Sequence, residues 1–270
     1  TPPIELYRTA RKDCLAPASE QDIKRTRPYT HTQPNANNRT GLLFIHGYTS
    51  TPHSMRPLAD ALQDEVHFTS VPLLAGHGTN PIDMGQSTYQ DWYQSIKTAY
   101  LEMKKCCDKV IVIGQSLGAL LATLLAHEFP EIEQVIMLVP AFYPPAIINL
   151  TPVISPLLNA LQIKTLHSVG GNIKKPGGFE IAYKRIHVKA PRELYRCCLL
   201  ARQQLPALRQ PILVIGSKHD QVLNCTGIQR AFDAIQSTQK ELIWVTNSYH
   251  VASLDNDAMQ IIELIRKQLS

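Results

Sequence analysis

Gly114-Gln115-Ser116-Leu117-Gly118 constrains this chain more than any other stretch. It lies between the apolar run Val110-Ile111-Val112-Ile113 and a helix-forming segment, Leu117 to Phe129. A G-x-S-x-G pentapeptide that runs from strand through a tight turn into helix predicts a nucleophile elbow. Such a turn strains the serine backbone, so the residues two before and two after it must be small. Gly114 and Gly118 meet that demand. The serine hydroxyl then points into a cleft above a helix N-terminus, whose amides and dipole suit a developing oxyanion. The pentapeptide alone is weak, because glycines near strand ends also serve as plain turn formers. Its weight depends on finding a base, an acid and a second oxyanion donor in the right order.

The bulk of the chain allows one substantial core. Its 270 residues are 44% hydrophobic and 18% charged, which suits a single α/β domain over residues 1–270. A membrane span needs a run of about 18 apolar residues. The nearest stretch, Val110 to Ala126, is broken by Gln115 and Ser116. No integral membrane association is expected. The net charge is +5, and residues 1–40 hold Arg8, Arg11, Lys12, Lys24, Arg25, Arg27 and Arg39 against four acids. A basic arm suits nucleic acid or an anionic membrane surface. Yet the basic runs are only pairs such as Lys104-Lys105 and Lys174-Lys175, without a recognition motif. The arm therefore reads as a solvated face, and no nucleic-acid partner is expected.

The cysteines are Cys14, Cys106, Cys107, Cys197, Cys198 and Cys225, with no C-x-x-C and no zinc-ligand spacing. Reduced thiols are expected. The chain starts at Thr1. The cytoplasm is the expected compartment, or the periplasm or exterior if Thr1 follows a removed signal peptide.

Short apolar runs alternate with helical segments. Strands are expected at 42–45, 66–71, 109–113, 134–138, 212–215 and 241–245, and helices near 54–63, 86–105, 117–129, 224–236 and 256–268. This alternation predicts a mostly parallel central sheet flanked by helices. Residues 29–40 are polar and turn-rich, and read as a surface connection. The alternation breaks over 142–208, first with Pro144, Pro145, Pro152 and Pro156, later with Gly170-Gly171 and Gly177-Gly178. That stretch reads as a small helical cap inserted between sheet strands. Within it Val153, Ile154, Leu157, Leu158 and Leu161 share one face of a short helix, expected to pack on the body, cover a pocket, or both.

A serine hydroxyl needs a base to take its proton, and the base needs an orienting acid. Pro211 to Gly216 is a buried-strand pattern that leads into a loop ending in Asp220, and Glu241 to Val245 leads likewise to His250. The order Ser116, Asp220, His250 is that of a nucleophile-elbow triad. His219 adjoins Asp220 but precedes the acid, which is the wrong order. His31, His67, His127 and His187 lie in loops, at a strand start or on the elbow helix. Asp255 and Asp257 open the last helix, so capping is their expected task. The strand Leu42 to Ile45 ends in His46-Gly47-Tyr48. The backbone N–H groups of Tyr48 and Leu117 are the expected oxyanion hole, with His46 bracing the loop.

Taken together these residues resemble the α/β-hydrolase superfamily, close to bacterial carboxylesterases and monoacylglycerol lipases. The resemblance rests on His46 to Met55, Gly76-His77-Gly78, Asp91-Trp92, Gly114 to Gly118, Gly216 with Asp220-Gln221-Val222, and Ser248-Tyr249-His250 with Asp255. It spans residues 42 to 270. One departure is Ala75, where relatives commonly carry proline, which is expected to loosen that loop. The resemblance implies an α/β-hydrolase fold and two-step ester hydrolysis through an acyl-enzyme, without metal or organic cofactor. No H-E-x-x-H, phosphate loop or G-x-G-x-x-G after a strand argues otherwise. The apolar cap favours a small uncharged substrate, a short to medium acyl ester or a monoacylglycerol. A thioesterase, an amidase or peptidase, and a carbon–carbon bond hydrolase share the same triad, and a non-catalytic ligand-binding member shares the fold. Oligomeric state is not encoded in any of these features.

Overall fold

A computed structural model of the chain describes residues 7–8, 19–34, 38–168 and 172–269. The apolar runs become strands because consecutive β-branched and leucine residues fill both faces of a buried sheet. We label them β1 (Tyr29–Thr32), β2 (Thr40–Ile45), β3 (Phe68–Val71), β4 (Lys109–Gln115), β5 (Gln134–Leu138), β6 (Ile212–Ser217) and β7 (Lys240–Val245). They form one seven-stranded sheet in the order β7-β6-β5-β4-β2-β3-β1, parallel throughout except where β1 runs antiparallel to β3. Strands β2, β5 and β6 are buried along their whole length.

Alternate residues of each strand feed two cores, as the two-residue period of a strand requires. Leu43, Ile45, Val110 and Val112 face a layer that holds Trp92, Ile96 and Tyr100 of α2 (Tyr89–Met103), Leu120 and Leu121 of α3 (Leu117–Glu128) and Cys197 of α5 (Ala190–Gln204). Leu42, Phe44, Ile111 and Ile113 face the other layer, against Leu58 and Leu62 of α1 (Arg56–Leu62) and Ile261 and Ile265 of α7 (Ala258–Arg266). Helix α6 (Cys225–Ala234) joins the first layer through Ile228 and Ala231.

From β2 the chain builds β3 on one side and then crosses to β4 on the other. That reversal opens a crevice outside the carboxyl ends of β2 and β4, where ligands of open α/β sheets bind.

Several expectations change in three dimensions. Residues 29–32 are the edge strand β1 and not part of a surface connection. With one side open, Tyr29 and His31 are half-buried while Thr30 and Thr32 are exposed, so no apolar run marks the strand. The helix expected near 86–105 is α2, which starts at Tyr89 because Thr88 caps it with a reciprocal Thr88–Asp91 box, and a short helix, Pro81–Gln86, precedes it unforeseen. The segment between β5 and β6 contains α4 (Thr151–Ala160), the unforeseen α5 and a ribbon pairing 165–167 with 185–187. The expected stripe of helix α4 is split: Thr151 and Ser155 are buried and Ile154 and Leu158 half-buried, while Val153, Leu157 and Leu161 are 75%, 59% and 63% exposed. The hydroxyls explain this, since Thr151 donates to the carbonyls of Ile148 and Pro191, and Ser155 to that of Val188.

Cys106, Cys107, Cys197, Cys198 and Cys225 are free thiols. Cys14, Arg11, Lys12 and Gly170-Gly171 lie outside the described residues. Among the described residues no helix is long and apolar enough to cross a membrane.

Candidate active site

Ser116 sits between β4 and α3 with φ +56° and ψ −112°, a conformation that L-residues seldom adopt. The turn is possible because its neighbours have no side chain. A Cβ on Gly114 would lie 2.2 Å from the carbonyl oxygen of Gly118, and one on Gly118 would lie 2.2 Å from that of Ile45 in β2. The first turn of α3 thus rests directly on the end of β2. The Ser116 amide donates to Leu138 O at 2.9 Å, which ties the elbow to the end of β5.

The ends of β6 and β7 bring up two further groups. Ser116 Oγ lies 3.0 Å from His250 Nε2, and His250 Nδ1 lies 2.7 Å from Asp220 Oδ2. The carboxylate at Nδ1 holds the proton there, so Nε2 is left to accept from the serine. The other oxygen of Asp220 accepts the Val222 and Leu223 amides at 2.7 and 2.8 Å. Burial pushes the Asp220 carboxyl up, but His250 and the two amides outweigh it and hold the group below its ordinary value. Ser217 Oγ donates to Ser248 O at 2.6 Å and locks the two strand ends together. His219 is exposed and His127 lies at the exposed end of α3.

The loop after β2 closes over the elbow. A Cβ on Gly47 would come within 3.5 Å of Ser116 Cβ. Leu117 is the first residue of α3, so its amide has no carbonyl of its own helix to bond. His46 is fully buried and bridges this loop: Nε2 accepts the Leu74 amide at 3.2 Å, which leaves Nδ1 to donate to Gly47 O at 2.9 Å. Burial, with His77 adding to it, lowers its pKa to about 3. His77 stacks edge-on against His46 and Trp92, and burial lowers it to about 4. Both rings are neutral struts. The Ala75 amide donates to Ser95 Oγ at 3.1 Å, a bond that a proline there could not make. Alanine therefore tethers this loop, contrary to the expectation that it loosens it.

Asp255 and Asp257 do not cap with their side chains. Asp257 stands at the N-cap of α7, yet its carboxylate accepts the Asn247 amide. Asp255 is buried and accepts the amides of Tyr249, Lys174, Lys175 and Asn256 at 2.7–2.8 Å. It thereby fastens the insertion to the His250 loop, and the Val251 amide, donating to Asn172 O, adds a second tie. On the opposite wall Thr51 Oγ1 donates to Ile181 O, and Ser50 Oγ to Glu180 Oε1 at 2.5 Å.

Between these walls lies a cavity of about 390 Å³, with Ser116 and His250 at its floor. Its sides are mainly apolar, with Ile148, Ile186, Leu194 and Leu223 among them, and its polar lining includes Asn172 and Glu180. The last two carried no sequence signal: a buried acid in an irregular Gly-Gly-Phe-Glu-Ile segment has no periodicity to reveal it. Among the described residues no three His, Cys, Asp or Glu side chains are grouped to hold a metal ion.

Comparison with known proteins gives a consistent picture. Residues 36–257 match the family described as serine aminopeptidase, S33. The chain is 34% identical to the thermostable monoacylglycerol lipase of Bacillus sp. (strain H-257) over 228 residues, 84% of this chain and 89% of that one. It is 23% identical to a carboxylesterase of Bacillus subtilis (strain 168), over 80% of this chain and 86% of that one. Among solved structures, one from work on the metagenome-derived lipolytic enzymes LipS and LipT superposes with a TM-score of 0.82 at 32% identity. It covers 91% of this chain and 97% of its own.

Two outcomes test this geometry. Gly118→Ala drives a methyl group into the Ile45 carbonyl, and urea unfolding is expected to show a loss on the order of 3 kcal/mol. The second concerns acid. His46 and His77 stay neutral in the folded protein down to about pH 3 and about pH 4, while their unfolded counterparts protonate near 6.5. The unfolded chain therefore binds more protons as pH falls below 6.5, and stability drops by up to about 1.4 kcal/mol per pH unit for each ring. Unfolding measured from neutral pH to about pH 4 should show this slope, reduced by about one proton in His77→Gln.

Proposed function

The chain belongs to the serine aminopeptidase S33 family of α/β-hydrolases, and from that premise we propose that it is a serine carboxylic ester hydrolase. Its substrates are short to medium acyl esters, monoacylglycerols among them. The observation that carries this reading is the hydrogen-bonded line from Ser116 through His250 to Asp220 at the floor of an apolar cavity.

The chemistry follows from the geometry. His250 Nε2 takes the proton of Ser116 as Oγ attacks the ester carbonyl carbon, and Asp220 stabilises the imidazolium that forms. Charge moves onto the carbonyl oxygen, where the Tyr48 and Leu117 amides receive it at the N-terminus of α3. His250 returns its proton to the departing alcohol, leaving Ser116 acylated. Water, deprotonated by the same imidazole, then releases the acid and restores the serine. His46 keeps the Tyr48 loop in register through Gly47 and Leu74.

Substrate class is argued from the cavity walls. Residues 142–208 act as the cap, supplying Ile148, Ile186 and Leu194 to accommodate an acyl chain. The polar groups there suit a hydroxyl-bearing alcohol such as glycerol. Asn172 Oδ1 is buried without a hydrogen-bond partner, and Glu180 presents a carboxylate. A glycerol hydroxyl would relieve the unsatisfied acceptor.

Hydrolysis of p-nitrophenyl esters from acetate to palmitate, with a fluorophosphonate as probe, tests the reading. Turnover with an optimum at short to medium chains, blocked by the probe, is expected. Ser116→Ala should lower kcat by at least about 10⁴-fold with unfolding unchanged, and Asp220→Asn by a similar factor. Turnover restricted to thioesters or amino-acid p-nitroanilides would replace the ester reading with another member of the same chemistry. Substantial ester turnover by Ser116→Ala would end the assignment of the nucleophile.

A further inference from the structure

We infer that a second cavity, built where α4 and α5 meet the loop before α2, is a binding site for a small dianion that carries a phosphate group. Such binding stands apart from the ester-hydrolase activity and does not need it.

The cavity has a volume of about 350 Å³. Ser87 and Thr88 line it from the loop before α2, Ser155 and Asn159 from α4, and Lys189 and Arg192 from the start of α5. Pro191 and Leu194, beside those cations in sequence, line the catalytic cavity instead. The two chambers share α5 as a wall and have no lining residue in common.

Charge decides what such a chamber takes. Arg192 is half-buried and Lys189 exposed, and among the described residues neither side chain has an acid or a hydrogen bond to answer it. The acids on the surrounding elements are already engaged. Glu193, which also lines the cavity, accepts from Arg196 Nη1 at 2.8 Å through one oxygen, and the Tyr89 amide reaches the other at 3.5 Å. Asp91 accepts the amide and the hydroxyl of Thr88, and Asp83 the side-chain amide of Asn80. Two cations are therefore left over, and a half-buried guanidinium without a counter-charge is costly. A dianion answers both.

His187 reports the same imbalance. Its ring lies against Gly85, where an added Cβ would fall 2.2 Å from the ring Cγ, and Gly85 lines the cavity. The Lys189 amide donates to His187 Nδ1 at 3.3 Å. Burial, then Lys189 and Lys164, hold the imidazole below its ordinary value, so the rim feels a net positive field.

The donor set selects among anions. Lys189 and Arg192 stand three residues apart, with the Arg192 amide bonded to Lys189 O, so their charges rise from one turn. That suits a compact dianion better than a dicarboxylate with its charges apart. The guanidinium fork matches two phosphate oxygens, Lys189 adds a point charge, and the Asn159 side chain an uncharged donor. A metal cation would meet like charge. The space exceeds one inorganic phosphate, so a small phosphorylated molecule fits as well.

Calorimetric titration of the whole chain at low salt, with inorganic phosphate, glycerol 3-phosphate, succinate and chloride, tests the site. Saturable binding is expected for the two phosphates, about tenfold or more tighter than for succinate, and none for chloride. Lys189→Gln and Arg192→Gln should each weaken it by about tenfold, the loss of one charge-assisted contact. Lys184→Gln, in the same insertion but outside this cavity, should leave it unchanged. Lys189 is exposed, so its variant keeps the fold, which circular dichroism checks. Imidazole NMR, assigned with His187→Gln, should show the His187 pKa rise as phosphate is added, and stay still at the same concentration in Arg192→Gln. Tighter binding of glycerol 3-phosphate than of phosphate marks a phosphorylated small molecule as the occupant, and equal affinity marks the free ion. No saturable binding, an equal loss in Lys184→Gln, or a preference for succinate overturns the inference. Ester turnover enters none of these readouts, so failure here leaves the proposed function untouched, and failure there leaves the site standing.

Discussion

Everything at the site depends on the contact between the first turn of α3 and the backbone at the end of β2. A methyl group at Gly118 would lie 2.2 Å from Ile45 O, so helix and strand touch with no side chain between them. That approach holds Ser116 at φ +56° and seats the start of α3 on the strand end. The cost, on the order of 1–3 kcal/mol for a strained residue, is borne by a core in which β2 is fully buried and β4 is buried from Val110 onward. Because β3 and β4 leave β2 on opposite sides, the strained turn lies at the crevice where the sheet reverses its direction of growth.

Two buried carboxylates complete the assembly in different ways. Asp220 faces the imidazole and shares its other oxygen with two amides, so ring and acid are both held. Asp255 gathers four amides from the His250 loop and the insertion, and so ties the cavity wall to the loop that carries His250. Across the cavity, residues 180–183 are pinned to the 49–51 loop. The middle of the insertion is clamped on both flanks. Helix α4 and the neighbouring ribbon lie outside these clamps: Val153, Leu157, Leu161 and Leu166 are exposed there, while Ile186 is buried against the cavity.

Neutral histidines have a third part. His46 and His77 are buried where a charge would be expensive, and they serve as hydrogen-bonding and packing struts under the loop after β2. Three imidazoles near one serine thus divide between two tasks. Only His250 faces both a carboxylate and the hydroxyl.

Strand–helix alternation, the elbow and the residues at the ends of β6 and β7 were legible in the sequence. Buried parallel strands must be apolar throughout, and an elbow tolerates only glycine at two fixed offsets. Those are local demands, so they leave local marks. The edge strand β1 left none, because half-solvated backbone pairing accepts Tyr-Thr-His-Thr as readily as an apolar run. The orientation of α4 was hidden for the opposite reason: its pattern was clear, but which face meets the body depended on where the carbonyls of Ile148, Val188 and Pro191 ended up. The task of Asp255 and the presence of Asn172 and Glu180 at the cavity likewise depend on segments some 80 to 130 residues apart in sequence. By itself the sequence determined the sheet, the strained serine and the order of its partners, since each follows from short-range sterics and periodicity. Only the tertiary structure decided the cavity wall and the face turned to solvent, because those depend on which distant backbone groups were left to be satisfied.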